Sequence, residues 1–86
     1  MRKIVFFHGE YCPPCRFAEK NIIPILEKAG TVETINLNDE PITARRLHIQ
    51  QIPTYFFEEN GELAFRKTGK LDVEKAVRWL KGGDFE

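Results

Sequence analysis

Apolar residues fall along this chain in short runs whose period changes from one segment to the next. Lys3 to Phe7 is almost unbroken, Ile4-Val5-Phe6-Phe7, which predicts a central strand buried on both faces. A helix is predicted from Pro13 to about Lys28, with Phe17, Ala18, Ile22, Ile25 and Leu26 spaced for one apolar face. Pro24 lies inside it and should kink it, because a proline nitrogen cannot donate to Lys20. Gly30 should end it. Thr31 to Asn36 alternates, with Val32, Ile35 and Leu37 apolar, and reads as a second strand. Asn38-Asp39-Glu40-Pro41 carries an acidic cap before a first-turn proline, so a short helix should follow to about Leu47. Thr54 to Glu58 is a third strand. Asn60-Gly61 is a two-residue hairpin turn, and Leu63 to Lys67 returns as a fourth strand. Thr68-Gly69-Lys70 breaks the sheet. Asp72 can cap a last helix with Val73, Ala76, Val77 and Leu80 as its apolar stripe.

The resulting order is β-α-β-α-β-β-α. A helical crossover makes the first two strands parallel, and the hairpin makes the last two antiparallel. The expected fold class is therefore α/β: a four-stranded mixed sheet with helices on both faces. At 86 residues the chain reads as one domain, spanning 1–86. A chain of this size buries only about 60% of its unfolded surface. Hydrophobic residues make up 42% and charged residues 30%, an ordinary soluble balance. With 13 basic and 13 acidic side chains the net charge is zero, so no general attraction to nucleic acid or to an anionic membrane is expected. Apolar runs reach only about four residues, far short of the roughly 18 that span a bilayer. Met1-Arg2-Lys3 resembles the start of a signal peptide. His8-Gly9-Glu10 interrupts the apolar core such a signal needs, and the expected location is the cytoplasm.

The chemistry is carried by the chain's two cysteines, in Tyr11-Cys12-Pro13-Pro14-Cys15-Arg16. A strand that ends at a Cys-x-x-Cys opening a helix places one sulfur at the helix N-terminus, where unpaired N–H groups and the helix dipole favour a thiolate. Pro13 and Pro14 fall where helical N–H groups lack partners anyway. A staple closing so short a loop would contribute about 2 kcal/mol at best, so redox exchange is the better reading of the pair. The residues thus point to a small dithiol oxidoreductase. A reading from another class is a metal or iron–sulfur module. Two thiolates supply only half a tetrahedral site, and there is no third cysteine.

Cys12 should be the exposed attacking thiolate and Cys15 the partly buried resolving thiol. Lowering a thiol pKa from 8.5 to about 7 raises its ionised share at pH 7 about 16-fold, while intrinsic nucleophilicity falls about fivefold. The net gain in attack is only about threefold, so a low pKa matters more for making Cys12 a good leaving group when Cys15 attacks. Neither Pro13 nor Pro14 has an N–H to offer, which predicts a pKa lowered only moderately.

A second signal is Ile52-Pro53-Thr54, a proline at the mouth of the third strand. Residue physics alone favours a trans bond there, since only about 5–6% of X-Pro bonds are cis. The set of features as a whole resembles the thioredoxin superfamily: a strand, Cys12-Pro13-Pro14-Cys15 at a helix start, Ile52-Pro53-Thr54 before a hairpin containing Asn60-Gly61-Glu62, and Gly69 after it. The resemblance covers nearly the whole chain. The proline and its aromatic followers are similar to thioredoxin proper, while length and element order are more like a glutaredoxin. It implies a cis bond at Ile52–Pro53 packed against the cysteines, reduction of protein disulfides without a cofactor, and a reductase such as thioredoxin reductase as electron source. It also implies a monomer whose substrate surface is formed by Tyr11, Pro13, Ile52, Pro53, Thr68 and Gly69 around Cys12. Glutathione is the weaker candidate: glutaredoxins usually have Thr-Val-Pro and a Gly-Asp-type pair where this chain has Gln51-Ile52-Pro53 and Gly69-Lys70. Three departures from thioredoxin stand out. Phe6 and Thr34 stand where that family has a buried aspartate and a lysine assigned to proton transfer. His8 replaces a tryptophan. The helix proline, Pro24, lies four residues further from Cys15. Glu10 and His8 are the nearest titratable neighbours in sequence, and His8 reads chiefly as a packed or solvent-facing histidine.

Overall fold

A computed structural model describes residues 1–86. The element order is β1 (Arg2–His8), α1 (Pro13–Asn21), α2 (Ile23–Ala29), β2 (Thr31–Asn36), α3 (Pro41–Arg46), β3 (Thr54–Glu59), β4 (Glu62–Thr68) and α4 (Val73–Leu80). The strands form one sheet in the order β2-β1-β3-β4. β1 runs parallel to β2 and antiparallel to β3, and β3 and β4 are antiparallel. The predicted mixed four-stranded sheet is present with its predicted pairing.

Strand alternation divides the core in two. Ile4 and Phe6 of β1, with Tyr55 and Phe57 of β3, face α1, α2 and α4 in a core that includes Cys15, Ala18, Leu26, Ala76 and Trp79. Val5, Phe7 and Phe56 point the other way, toward Ile35, Leu37, Leu47 and Ile49. That second layer is thinner, and α3 buries none of its residues. Asn60 and Gly61 both take positive φ (55° and 85°), the geometry a two-residue hairpin demands. Asp72 caps α4 by accepting from the Lys75 N–H at 3.1 Å. No helix is long and apolar enough to cross a membrane.

Four local expectations are corrected. The first helix is two helices, with the break at Ile22 ahead of Pro24 rather than a kink within one. Its buried face is Cys15, Ala18, Ile22, Ile23 and Leu26, whereas Phe17 and Ile25 are 60% and 48% exposed. On α1, Phe17 lies about 100° around the helix from Ala18 and about 200° from Cys15, off the buried face, and Ile25 lies beyond the break, on α2. Gly30 does end α2, as expected, in extended backbone (φ 176°), and a Cβ there would sit 3.2 Å from the Leu80 side chain. On α3 the cap position is Glu40, whose side chain makes no capping bond. On α4, Trp79 is more deeply buried than the predicted stripe residues Val73, Val77 and Leu80.

Candidate active site

The end of β1 delivers the chain into a tight loop, His8-Gly9-Glu10-Tyr11, and then into α1. Gly9 is needed there. A Cβ on it would lie 2.8 Å from Asn38 Oδ1 and 2.9 Å from Ile52 Cδ1. Asn38 Oδ1 accepts the Glu10 N–H at 2.7 Å, and Arg16 donates to the Gly9 carbonyl at 3.1 Å. These bonds tie the loop to both neighbouring elements. Tyr11 takes φ 56° and is 97% exposed.

Cys12 is the N-cap of α1, in extended conformation, with Pro13 and Pro14 at the first two helical positions. Its sulfur is joined to that of Cys15 in a disulfide, the Cα atoms 5.2 Å apart. Cys15 is fully buried. Cys12, expected to be exposed, is only 8% accessible. The Ile52–Pro53 segment covers it: the Ile52 carbonyl oxygen lies 3.9 Å from Cys12 Sγ. The Ile52–Pro53 peptide is cis. Cys12 nonetheless remains the more accessible of the two sulfur-bearing residues.

One backbone donor addresses the Cys12 sulfur. The Cys15 N–H donates to Cys12 Sγ at 3.2 Å. The Arg16 N–H is engaged by the Cys12 carbonyl at 3.0 Å, and the two prolines have none. The helix end therefore offers a thiolate less than an ordinary first turn would.

Beside the disulfide lies an apolar cleft of about 430 Å³, lined by Pro14, Phe17, Ile22, Pro53, Tyr55 and Lys70 among others. Of the residues expected at the substrate surface, Ile52, Pro53 and Gly69 line this cleft. Tyr11 and Pro13, which flank Cys12 in the chain, are exposed and do not line it. Thr68 does not line it either. It pairs with Thr54 at the end of β4 and lines a polar recess with His48 and Arg66 on the opposite side of the sheet. Alternation along β4 sends Thr68 away while the chain turns back at Gly69. Phe17, Tyr55 and Lys70 are cleft residues that sequence reasoning missed. Phe17 looks like core at helical spacing, and Tyr55 hides in the run Thr54-Tyr55-Phe56-Phe57.

Phe6 is fully buried, paired with Thr34 on β2 and Tyr55 on β3, and stacked on Tyr55 at 5.3 Å and on His8 at 5.2 Å. No carboxylate or amine occupies those two positions. His8 is held by α1: its Nδ1 lies 3.3 Å from Arg16 Nη2 and 3.7 Å from Glu19 Oε2. Burial pushes the Tyr55 phenol up to about 12. No group of three or more His, Cys, Asp or Glu side chains is placed to hold a metal ion.

Residues 2–82 match the family model described as thioredoxin. A thioredoxin from Rhodospirillum rubrum is 31% identical over 80 residues, covering 90% of this chain and 77% of its own. A thioredoxin from Rickettsia bellii is 30% identical, covering 90% and 76%. Among solved structures, thioredoxin-2 of a malaria parasite, described as a component of protein secretion machinery, superposes with a TM-score of 0.81 at 15% identity, covering 94% and 82%. A variant thioredoxin from Halobacterium salinarum gives 0.77 at 19% identity, covering 93% and 72%.

Proposed function

The chain belongs to the thioredoxin family and is a thiol–disulfide oxidoreductase, and from that premise we propose that it reduces protein disulfides with Cys12 as nucleophile and Cys15 as resolving thiol. The observation that carries this is the Cys12–Cys15 disulfide at the tip of α1, with the Cys15 N–H directed at Cys12 Sγ.

In the dithiol form the Cys12 thiolate attacks one sulfur of a substrate disulfide. A mixed disulfide forms and the other substrate sulfur leaves as a thiolate. Cys15 loses its proton and attacks Cys12 Sγ. The Cys12–Cys15 bond re-forms and the second substrate sulfur departs. Two electrons have passed to the substrate, which ends as a dithiol. A family member of this kind draws its electrons from a reductase. We assign that role to thioredoxin reductase, with glutathione the weaker donor, and place the protein in the cytoplasm as a monomeric single domain. Ile52 supports the substrate assignment. Its amide and carbonyl make no backbone hydrogen bond within the chain, while the Pro53 carbonyl accepts from the Gly69 N–H at 2.8 Å. An extended substrate could pair with Ile52 as an added strand would, its flanking residues meeting Tyr11, Pro13 and Gly69.

Insulin reduction followed by turbidity tests the reading. The wild type should catalyse it, Cys12→Ser should abolish it, and Cys15→Ser should accumulate a mixed disulfide. Undiminished turnover in Cys12→Ser would refute the assignment.

A further inference from the structure

The Tyr55 hydroxyl is the one buried side-chain oxygen or nitrogen in the chain that finds no hydrogen-bond partner. The residue is fully inaccessible. A buried phenol without a partner has given up its hydration for nothing in return, so its presence calls for an explanation. A phenylalanine would fill the same place, stacked on Phe6 in the core it shares with Phe57, without that penalty.

Its position suggests what the hydroxyl serves. Tyr55 lies two residues after Pro53 and pairs across the sheet with Phe6. It belongs to the same contiguous core as Cys12 and Cys15. With Pro14 and Ala18, which bracket Cys15 on α1, it lines the cleft beside the disulfide. Burial holds the phenol neutral far above neutral pH, so it acts as a donor and not as a base. The structure shows the oxidised state, in which each sulfur is a neutral member of an S–S bond. Reduction changes the sulfurs more than anything else in the core. A thiol sulfur accepts weakly, and a thiolate accepts a charge-assisted bond.

We propose that Tyr55 is a redox-dependent positioning residue: its hydroxyl is unpaired while Cys12–Cys15 is a disulfide and donates to the Cys15 sulfur in the dithiol form. This rests on the dithiol–disulfide cycle of the same two cysteines. On reduction the S–S bond takes an electron pair from an external dithiol, which becomes a disulfide. Of that reductant's two protons, one resides on Cys15 and the other passes to solvent as Cys12 remains a thiolate. Tyr55 keeps its own proton throughout. The unpaired hydroxyl raises the energy of the disulfide form and the new bond lowers that of the dithiol. Both effects make the protein a weaker reductant than its Tyr55→Phe variant. The same bond favours ionisation of Cys15, at a site where Phe6 supplies no acid or base.

The test is the thiol–disulfide equilibrium of wild type and Tyr55→Phe in glutathione redox buffers. The variant should favour the disulfide about tenfold more strongly, roughly 30 mV more reducing, with the Cys15 pKa raised. An equilibrium constant within twofold of wild type, or a shift toward the dithiol, overturns the proposal. The measurement needs no protein substrate, so its outcome is independent of whether insulin is reduced. A second measurement does not depend on the variant folding. In the Tyr11→Phe background Tyr55 is the single tyrosine, and its ultraviolet Raman doublet should change from non-donating to donating on reduction. An unchanged doublet overturns the proposal.

Discussion

Replacing Pro14 by alanine should lower the Cys12 pKa, and the structure sets the size of the effect. An N-cap side chain accepts from the N–H groups at the second and third helical positions. Here those positions are Pro14 and Cys15, and only Cys15 has an N–H to give, at 3.2 Å. Pro14→Ala restores the missing donor. A hydrogen bond to a charged group contributes about 1.5–3 kcal/mol, and each pKa unit corresponds to about 1.4 kcal/mol. A partly water-facing sulfur should realise the lower end, a drop of about one unit. A lower thiolate pKa stabilises the dithiol, so at pH 7 a fall from about 7 to about 6 should move the equilibrium with glutathione about fivefold toward the reduced form. Pro13→Ala is the control: it frees an N–H at the first helical position, which does not serve the cap, and should shift the pKa by much less. The assay is titration of thiolate absorbance in the reduced proteins. Equal shifts from both substitutions, or no shift from Pro14→Ala, would refute the reasoning, as would a wild-type Cys12 pKa below about 5.

Four further outcomes are expected. The Tyr55 phenol titrates near 12 when folded and near 10 when unfolded. Below pH 10 its contribution is therefore fully present, and it is lost as pH rises through about 12. Urea denaturation across that window should show about 2–3 kcal/mol of lost stability that Tyr55→Phe does not show. Gly9→Ala should force Asn38 and Ile52 apart from the loop, disrupt the Glu10–Asn38 bond and destabilise the fold by about 1–2 kcal/mol, with slower insulin reduction; unaltered kinetics would disconnect this loop from the site. Trp79→Ala should cost about 3–5 kcal/mol by urea denaturation, since its ring meets Phe57 at 5.1 Å and Phe65 at 5.8 Å, while leaving the glutathione equilibrium in place. Tyr11→Ala should leave stability unchanged, because the side chain is 97% exposed, and raise KM for insulin severalfold; an unchanged KM would remove Tyr11 from the substrate surface.

Much of this protein is written in local chemistry. Asn60-Gly61 specifies a hairpin because two consecutive positive φ angles exclude most other residues. Ile4 to Phe7 specifies a central strand because only a position covered on both faces tolerates an unbroken apolar run. Cys12-Pro13-Pro14-Cys15 after that strand specifies a sulfur at a helix cap, because prolines fit only where helical donors are idle. Those three segments are enough to suggest the sheet, the site and its chemistry. The cis bond at Ile52–Pro53 is different: residue physics favours trans, and only the resemblance pointed to cis.

What depended on distant parts of the chain was invisible in the string of residues. Phe17 opens onto the cleft and Ile25, beyond the break between α1 and α2, is half exposed, although the apolar pattern counts both as core. The pleat of β4 sends Thr68 to the far side of the sheet from its neighbour Gly69. Cys12 is sheltered by Ile52, forty residues on, and the Tyr55 hydroxyl, buried in the core shared by β1, β3 and the helices, is left without a hydrogen-bond partner. Short-range pattern decides which elements form, since backbone preference and capping act within a turn or two. Which side chains reach the sulfur, and which polar group is left without a bond, is decided by packing between elements far apart in the chain.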